Sequence, residues 1–311
     1  MKAIVNLLLG LLTGLYVCAQ PCTYLAYDAF DYSANIPLNA LSGGTGWNGV
    51  WNVQNDNTTL PGYQVNNGAG SLTYAALQTL GRYATGGQAY LTAGRRLNVA
   101  DNGPFANFVA DYDNEIGTQT GDTIWVSFLL RKDGNNTEPV WIDLHNDGSI
   151  AWCSGCASQH IAVGYFGSAN SDVGGQRRWT LGINGAYYPT SVPVTTGTPA
   201  FMALRIIFNP GNTNVALYVN PATLGNTVPA SPAIAQNTGV ANVIRSVAVY
   251  LGNSPANGAA DEIRFAESYA CVAPDNTVAV NLPPLAAISA TPTSGQLPML
   301  VNFSGSASTD P

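Results

Sequence analysis

The chain has 311 residues, of which 46% are apolar and only 9% are charged, and its formal net charge is −7. This supply of large apolar residues is enough for one large core or two smaller ones, and it excludes disorder over most of the chain. The excess of acidic residues argues against nucleic acid and anionic membranes as partners, because both repel negative charge. Abundant glycine and scarce charge are typical of loop-rich, all-β extracellular proteins.

The first residues, MKAIVNLLLGLLTGLYVCAQPC, predict a secretory signal peptide over residues 1–19. Lys2 supplies the positive start, an apolar run follows, and Val17-Cys18-Ala19 offers a cleavage site. The apolar run is too short to predict a membrane span. A buried helix and a lipoprotein signal at Cys18 are the alternatives. We therefore expect a secreted or cell-surface protein with no membrane span once the signal is removed.

After the signal no helical stretch stands out, and segments of alternating or apolar β-rich character recur in chain order. They lie at residues 123–130, 138–145, 160–166, 178–185, 201–208, 214–220, 244–252 and 261–268. Their connectors are rich in Gly, Asn, Asp and Pro, which favour turns. Strands joined by turns without intervening helices predict antiparallel sheets, and the length of the unit favours a large all-β, two-sheet jelly-roll sandwich over residues 22–274.

The composition changes at the end of the chain. A short, proline-flanked linker is predicted over residues 275–283. Residues 284–311 then read as a strand in AAISA, a Pro-Thr-Ser-Gly turn and a second strand in MLVNFSGS. An isolated pair of strands is marginal in water, so we expect this segment to be the incomplete start of a further domain.

Four cysteines follow the predicted signal, namely Cys22, Cys153, Cys156 and Cys271. An even number in an oxidising compartment predicts disulfides, and three pairings are possible. We favour Cys22–Cys271, because Cys22 opens the first domain, Cys271 closes it, and the first and last strands of a sandwich are commonly neighbours. The second predicted pair is then Cys153–Cys156.

The CSGC motif that contains Cys153 and Cys156 has two further interpretations. His145 and His160 flank it, so a Cys2His2 zinc site can be written down. The two thiols could also be free. No second C-x-x-C is present to support the zinc site.

The search for catalytic residues gives none. Glycosidases need two carboxylates across the sugar bond, and in retaining enzymes these lie about 5 Å apart. Glu138 and Asp143 are five residues apart and would point to opposite faces of a regular strand, while Asp147 falls in a predicted turn. The chain contains two histidines, no Gly-x-Ser-x-Gly elbow and no phosphate-binding glycine loop.

Two acidic groups suggest calcium, which takes six to eight oxygen ligands. Asp28 and Asp261 lie near the two ends of the sandwich domain, where first and last strands could share a structural ion. Asp111, Asp113 and Glu115 alternate in one loop, and a solvated acidic loop explains them equally well. A structural calcium ion held by Asp28 and Asp261 is the cofactor that the sequence suggests.

Aromatic rings on a sheet face or loop can stack on sugars while polar neighbours bond the hydroxyls. We assign Trp125 and Trp141 to the core. Arg177 stands beside Trp179 and could hold an acidic sugar, although a solvated edge strand explains it equally well. The predicted ligand-binding residues are Trp152, Trp179, Tyr187, Tyr188 and Arg177.

Two parts of the chain resemble known families. The stretch PPLAAISATPTSGQLPMLVNFSGSASTDP, at residues 283–311, resembles the opening of a PKD domain, an immunoglobulin-like module of secreted proteins. The stretch YDAFDYSANIPLNALSGGTGWNGVWN at residues 27–52, with ADEIRFAESYACVAP at 260–274, resembles the concanavalin A-like, laminin-G-like jelly-roll domains of secreted bacterial proteins. The first resemblance implies that a PKD domain is cut short at residue 311.

The second resemblance implies this fold and a role as an accessory binding or adhesion module, and it implies no particular ligand. Our leading hypothesis is that the module is non-catalytic. The expected partner is a polysaccharide or cell-surface glycan. A glycoside hydrolase or lyase on the same fold and an architectural spacer are the two alternatives.

Overall fold

The computed structural model describes residues 22–53, 62–87, 92–109, 114–118, 121–146, 159–225, 228–254, 257–276, 289–291, 302–304 and 306. The chain divides into two units, of which the larger spans Cys22–Thr277. The described residues of the other unit are 289–291, 302–304 and 306. None of the helices in the described ranges has the length and apolar character needed to cross a membrane.

Within the described residues, the larger unit contains sixteen strands and is almost entirely β. In chain order they are β1 (Ala26–Asp28), β2 (Trp47–Val53), β3 (Gln64–Val65), β4 (Ala84–Thr85), β5 (Ala93–Leu97), β6 (Thr123–Lys132), β7 (Val140–His145), β8 (His160–Tyr165), β9 (Asp172–Val173), β10 (Gln176–Ile183), β11 (Ala186–Pro193), β12 (Ala200–Asn209), β13 (Asn212–Val219), β14 (Ile234–Asn237), β15 (Ser246–Tyr250) and β16 (Gly258–Ala266). The described helical elements are a 3-10 turn (Ala106–Phe108), α1 (Ser168–Ser171) and α2 (Tyr269–Val272).

The strands form two antiparallel sheets of eight strands each. Sheet A has the order β14-β13-β12-β6-β16-β4-β3, and β1 also pairs with β16. Sheet B has the order β11-β10-β8-β7-β15-β5-β2, and β9 also pairs with β10. Neighbours in each sheet often come from distant parts of the sequence, as the pairing of β6 with β16 shows. This architecture confirms the all-β, two-sheet jelly-roll sandwich predicted from the sequence.

The core lies between the sheets and is built by alternate residues of each strand. Val126 and Phe128 of β6 and Leu204 of β12 are completely or almost completely buried there. Fully burying a side chain of this size contributes about 1.5–3 kcal/mol. Trp125 and Trp141, which we assigned to the core, are indeed buried, but in clusters separate from this central one. They therefore cover the outer faces of sheets A and B, because neighbouring residues of a strand point to opposite faces.

The ends of the larger unit meet at one place. Strand β1 pairs with β16, with Ala26 opposite Phe265. A disulfide joins Cys22 to Cys271, whose Cα atoms lie 5.1 Å apart across 249 residues of sequence. This is the pairing favoured from the sequence. Cys153 and Cys156 lie outside the described residues, as does the predicted signal peptide over residues 1–19.

In the smaller unit, β17 (Ser289–Thr291) pairs antiparallel with β18 (Asn302–Ser304). Ser289 lies opposite Ser304, in the two segments for which a strand, a turn and a second strand were predicted. Most of the predicted linker over residues 275–283 and most of the predicted PKD-type segment lie outside the described residues.

Candidate functional site

The outer face of sheet B carries aromatic and ionisable side chains. Along β7, Ile142 and Leu144 belong to the central core. Side chains alternate along a strand, so Trp141, Asp143 and His145 face the other way, out of the sandwich. Trp141 accordingly belongs to a separate buried cluster. The histidines and the carboxylate singled out in the sequence thus meet on this face.

A row of small residues crosses the outer face and surrounds Asp143. Backbone pairing places Asp143 opposite Ala248 on one side and Ala162 on the other. The row continues to Gly94 beyond Ala248 and to Gly182 beyond Ala162. Because adjacent strands lie about 4.8 Å apart, the five positions extend over about 19 Å. We call this row, which consists of Gly94, Ala248, Asp143, Ala162 and Gly182, the trough.

Larger side chains occupy the neighbouring rows on both sides of the trough. On one side Trp141 lies opposite Tyr250, and their rings stack with centroids 5.4 Å apart. On the other side His145 lies opposite His160. Trp141, Tyr250 and His145 are buried, whereas His160 is partly exposed. A small residue also stands in each of these rows, Gly164 beside Trp141 and Ser246 beside His145, so the large side chains flank Asp143 without lining the whole trough.

Tyr187 stands at one end of the trough. It lies opposite Gly182, and its ring contacts that of Phe166 with centroids 4.9 Å apart. Glycine at position 182 leaves room for this contact, since a Cβ atom there would lie 3.3 Å from the Phe166 ring. Both rings are partly exposed. Burial, and after it the negative charge of Asp143, raises the pKa of Tyr187, so its hydroxyl remains a neutral donor at physiological pH.

Asp143, in the middle of the trough, faces His160 of the neighbouring row. The Gly185 N–H donates to His160 Nε2 over 2.9 Å, which makes Nε2 an acceptor and places the proton of a neutral imidazole on Nδ1. Nδ1 faces Asp143 Oδ1 at 3.4 Å, longer than a well-formed hydrogen bond. The two side chains are 16% and 17% exposed. Asp143 Oδ1 is buried and accepts no hydrogen bond in the described structure, while the Asp143 side chain as a whole is partly exposed.

The structure places the predicted aromatic binding residues in different environments. Tyr187 lies at the trough, but Tyr188 packs against the central core from its position opposite Leu181. Trp179 is only 1% exposed and belongs to that core. The prediction that Trp179 stacks on a ligand is therefore wrong, because β10 directs this ring between the sheets. Trp152 lies outside the described residues.

Arg177 makes hydrogen bonds and a ring contact within the protein. Its guanidinium donates to the carbonyl oxygens of Gly134 and Asn135 and lies 5.7 Å from the centre of the Tyr165 ring. These contacts fix the turn after β6 to the end of β10. These bonds engage two of the five N–H donors of the guanidinium, and the role of Arg177 in holding an acidic sugar stays a prediction.

The predicted calcium pair is separated by the sheet. Asp28 contacts Trp51 and Arg95 on the inner side, while Asp261 accepts hydrogen bonds from Ser71 and the Leu72 N–H on the outer side. Both carboxylates are buried and occupied by protein donors. The shared calcium site is thus a wrong prediction, because the two aspartates are on opposite faces of sheet A.

Other ionisable groups give no metal centre in the described part of the chain. There, no three His, Cys, Asp or Glu side chains lie close enough to hold an ion together. Cys153 and Cys156, Asp111, Asp113 and Asp147 lie outside the described residues. The zinc and acidic-loop alternatives that use them therefore stay predictions.

Sequence reasoning missed several residues of the site, among them Phe166, Gly182 and Tyr250. The sequence contains part of the information needed to find these residues. The turn at Asn184-Gly185 predicts a two-residue hairpin, which pairs Gly182 with Tyr187. Pairing of β7 with β15 joins residues a hundred positions apart, and no local pattern indicates it.

No family model matches the sequence, and neither does any curated protein. Solved structures with a similar fold include domain 4 of AbnA, a GH43 extracellular arabinanase from Geobacillus stearothermophilus in complex with arabinotriose, at 15% identity over 81% of this chain and 97% of that chain, with a TM-score of 0.37. The T. cruzi calreticulin globular domain is 10% identical over 70% of this chain and 84% of that one, with a TM-score of 0.39.

A glycosyl hydrolase family 16 protein from Mycobacterium smegmatis is 12% identical over 78% of this chain and 100% of that one, with a TM-score of 0.38. These likenesses are too distant to carry a ligand, an activity or a site over to this chain.

Proposed function

We propose that the sandwich is a non-catalytic glycan-binding module and that the glycan lies in the trough of sheet B. The observation that carries the proposal is the combination of accessible rings at one end with a carboxylate oxygen that lacks a hydrogen bond. Sugars present apolar C–H faces and hydroxyl donors, and Phe166, Tyr187 and Asp143 complement both. The four small residues of the trough are buried, and the partly exposed groups that a sugar could contact are Asp143, Phe166 and Tyr187.

The absence of a second acid supports binding over hydrolysis. Glycosidases of the common mechanisms use two carboxylates, and inverting enzymes hold them about 6.5–9.5 Å apart. Along the described strands that border the trough, the outward positions carry Asp143 as their sole carboxylate. His160 is held between Asp143 and the Gly185 N–H, so it positions the carboxylate and is not arranged as a free base.

The location that we propose is extracellular or on the cell surface. A disulfide such as Cys22–Cys271 persists in oxidising compartments, and the predicted leader over residues 1–19 would direct export. In this proposal, the module over residues 22–274 attaches the protein to a polysaccharide or cell-surface glycan. The PKD-type segment over residues 284–311 would then act as a neighbouring extracellular module.

Glycan-array screening followed by calorimetry tests the proposal. We expect Tyr187→Ala and Asp143→Asn each to weaken glycan binding at least tenfold, which corresponds to about 1.4 kcal/mol. Matched controls are Phe303→Ala, an exposed ring in the smaller unit, and Asp101→Asn, an exposed carboxylate. Neither control should change the affinity.

Three results would contradict the proposal. A lack of binding to any glycan would favour the architectural spacer. Binding that survives both trough substitutions would place the site elsewhere. Cleavage of a glycan by the wild-type protein that is lost in Asp143→Asn would establish the hydrolase or lyase alternative.

A further inference from the structure

A second concave surface lies on the other side of the molecule, on the outer face of sheet A. Backbone pairing puts Trp125, Arg205, Ala216 and Ala235 in one row across β6, β12, β13 and β14. A cavity of about 340 Å³ opens over the last three of these residues. The lining also includes Asn214 and the other residues of the next row, together with Val215 and Gln236. This volume is at the lower end of the range for small-molecule sites.

Arg205 is the charged group of this cavity. Its guanidinium carbon lies 6.0 Å from the centre of the Trp125 ring, which is itself buried among Tyr218 and Tyr269. Nε of Arg205 is buried, and no acceptor for it is present in the described structure. Arg95, on the inner side of sheet B, has a carboxylate and two carbonyl oxygens as partners, whereas Arg264 of β16 also has a buried Nε without an acceptor in the described structure.

Arg205 is distinguished by lining the cavity, so an acceptor for its guanidinium can come from outside the chain. Burying an N–H donor without an acceptor is costly, and a stable structure normally avoids it. A guanidinium presents parallel N–H groups that match the two oxygens of a carboxylate or sulfate. An aromatic ring behind the guanidinium holds the fork in one plane.

An amide group borders the same cavity. Asn237 Nδ2 donates to Asn214 Oδ1 over 2.7 Å and to Asn212 Oδ1 over 3.0 Å. The Gly239 N–H in turn donates to Asn237 Oδ1. These bonds fix the orientation of the Asn214 amide and leave its Nδ2 group as a donor for a hydroxyl or ring oxygen. Ala216 adjoins Arg205 and Ala235 adjoins Ala216, so the two alanines provide an apolar floor beside Arg205.

We propose that this cavity, defined by Arg205, Asn214, Ala216 and Ala235, binds one anionic sugar residue. The carboxylate or sulfate of the sugar pairs with Arg205, the ring lies on the alanine floor, and a hydroxyl accepts from Asn214. The site is on the opposite sheet from the trough and does not depend on it. The net charge of −7 opposes long polyanions, so recognition rests on this local pair.

Calorimetric titration tests the site with four probes: a trigalacturonide, a sulfated galactose trisaccharide, their neutral counterpart and a glutamate-rich peptide. We expect one or both anionic sugars to bind the wild-type protein, and the neutral sugar and the peptide not to bind. Arg205→Gln, which keeps most of the side-chain stem, should weaken binding at least tenfold. Raising the salt concentration should weaken the wild-type complex, because the pair is partly exposed.

Two variants separate a lost site from a lost fold. Arg178→Ala removes a guanidinium whose partners are Ser191 O and Gln176 on sheet B, so it should leave the affinity unchanged. Ala235→Leu fills the floor from an exposed position and should reduce binding without a loss of stability in urea unfolding. The proposal is overturned if no anionic sugar binds, if Arg205→Gln binds as tightly as wild type, or if the peptide binds equally well.

Discussion

Asp28 belongs to sheet A and bonds to residues of sheet B. Its carboxylate accepts hydrogen bonds from Trp51 Nε1, Tyr32 Oη and the Phe30 N–H at 2.8–2.9 Å. It also pairs with Arg95 of sheet B at 2.8 Å. Both members of the pair are almost completely buried, at 1% and 3% exposure. A buried pair of this kind is strongly coupled, because either charge alone would lack the solvation that water gives it.

The first prediction concerns this pair. Asp28→Asn should lower the free energy of unfolding by about 3–5 kcal/mol, since it leaves the charge of Arg95 buried without a counter-ion. Urea unfolding monitored by tryptophan fluorescence measures the change. Asp31→Asn, at an exposed position three residues away, should change stability by less than about 0.5 kcal/mol. Equal stability of the two variants would contradict the role assigned to the pair.

The same scale shows why residue type alone did not locate the ligand site. Trp179, Tyr187 and Tyr188 are all large aromatics near one hairpin, and each was predicted to bind. The strand period decides between them, because Tyr187 faces the trough while Trp179 and Tyr188 face the core. Which face each residue occupies depends on the strand register, and the register is set by pairings between distant segments.

Among the elements, β16 contains a β-bulge at a pair of buried carboxylates. Its pairing with β6 shifts register between Asp261 and Arg264, and Glu262 has a positive φ of 56°. Two buried carboxylates, Asp261 and Glu262, lie at this bulge. They bond to residues 71–80, the segment that covers the outer face of sheet A. Glu262 accepts from the Leu80 N–H and from Arg264, while Asp261 accepts from Ser71. These bonds hold the covering segment on the sheet.

The second prediction follows from the two carboxyls. Burial, followed by the charge of Glu262, raises the pKa of Asp261, and burial also raises the pKa of Glu262. The folded state therefore binds protons more tightly than the unfolded state. The stabilisation is present at low pH and is lost as the pH rises above the ordinary carboxyl range near 4.

Urea unfolding across a pH series measures this effect. The free energy of unfolding should fall as the pH rises from about 5 towards 8, and Asp261→Asn should flatten the fall. Glu267→Gln alters an exposed carboxylate just beyond β16 and serves as the control, with the wild-type profile expected. Stability that rises with pH over the same range would be the opposite of this result.

The long strands were predictable and the short ones were not. Each of the eight predicted segments contains a strand, because six or more alternating residues carry a recognisable period. Strands β3, β4 and β9 have two residues each, fewer than one clear alternation needs. The bulge of β16 was equally hidden, since EIRF reads as a regular alternating stretch. Those parts of the fold depend on tertiary contacts.

For the whole molecule, the Cys22–Cys271 bridge is the largest single constraint. It closes a loop of 249 residues, and on the chain-entropy model such a closure stabilises the folded state by about 4–5 kcal/mol. We predict that Cys22→Ser/Cys271→Ser is less stable by roughly this amount in urea unfolding. The β1–β16 pairing should keep the variant folded at room temperature.

A reductant provides the control for that experiment. It should lower the stability of the wild-type protein more than that of Cys22→Ser/Cys271→Ser. Peptide mapping under non-reducing conditions should recover Cys22 joined to Cys271, and it also tests the predicted Cys153–Cys156 pair. Recovery of Cys22 joined to either of those two cysteines would overturn the assignment.

The closeness of Cys22 and Cys271 has a mechanical consequence. When the chain is pulled from points before residue 22 and after residue 271, tension passes through the covalent S–S link and bypasses the sixteen strands. The sandwich then carries almost no load, and its hydrogen-bonded ladders are not sheared or peeled. An oxidised module could stay folded in a tether under flow, while a reduced one would bear the full force and extend.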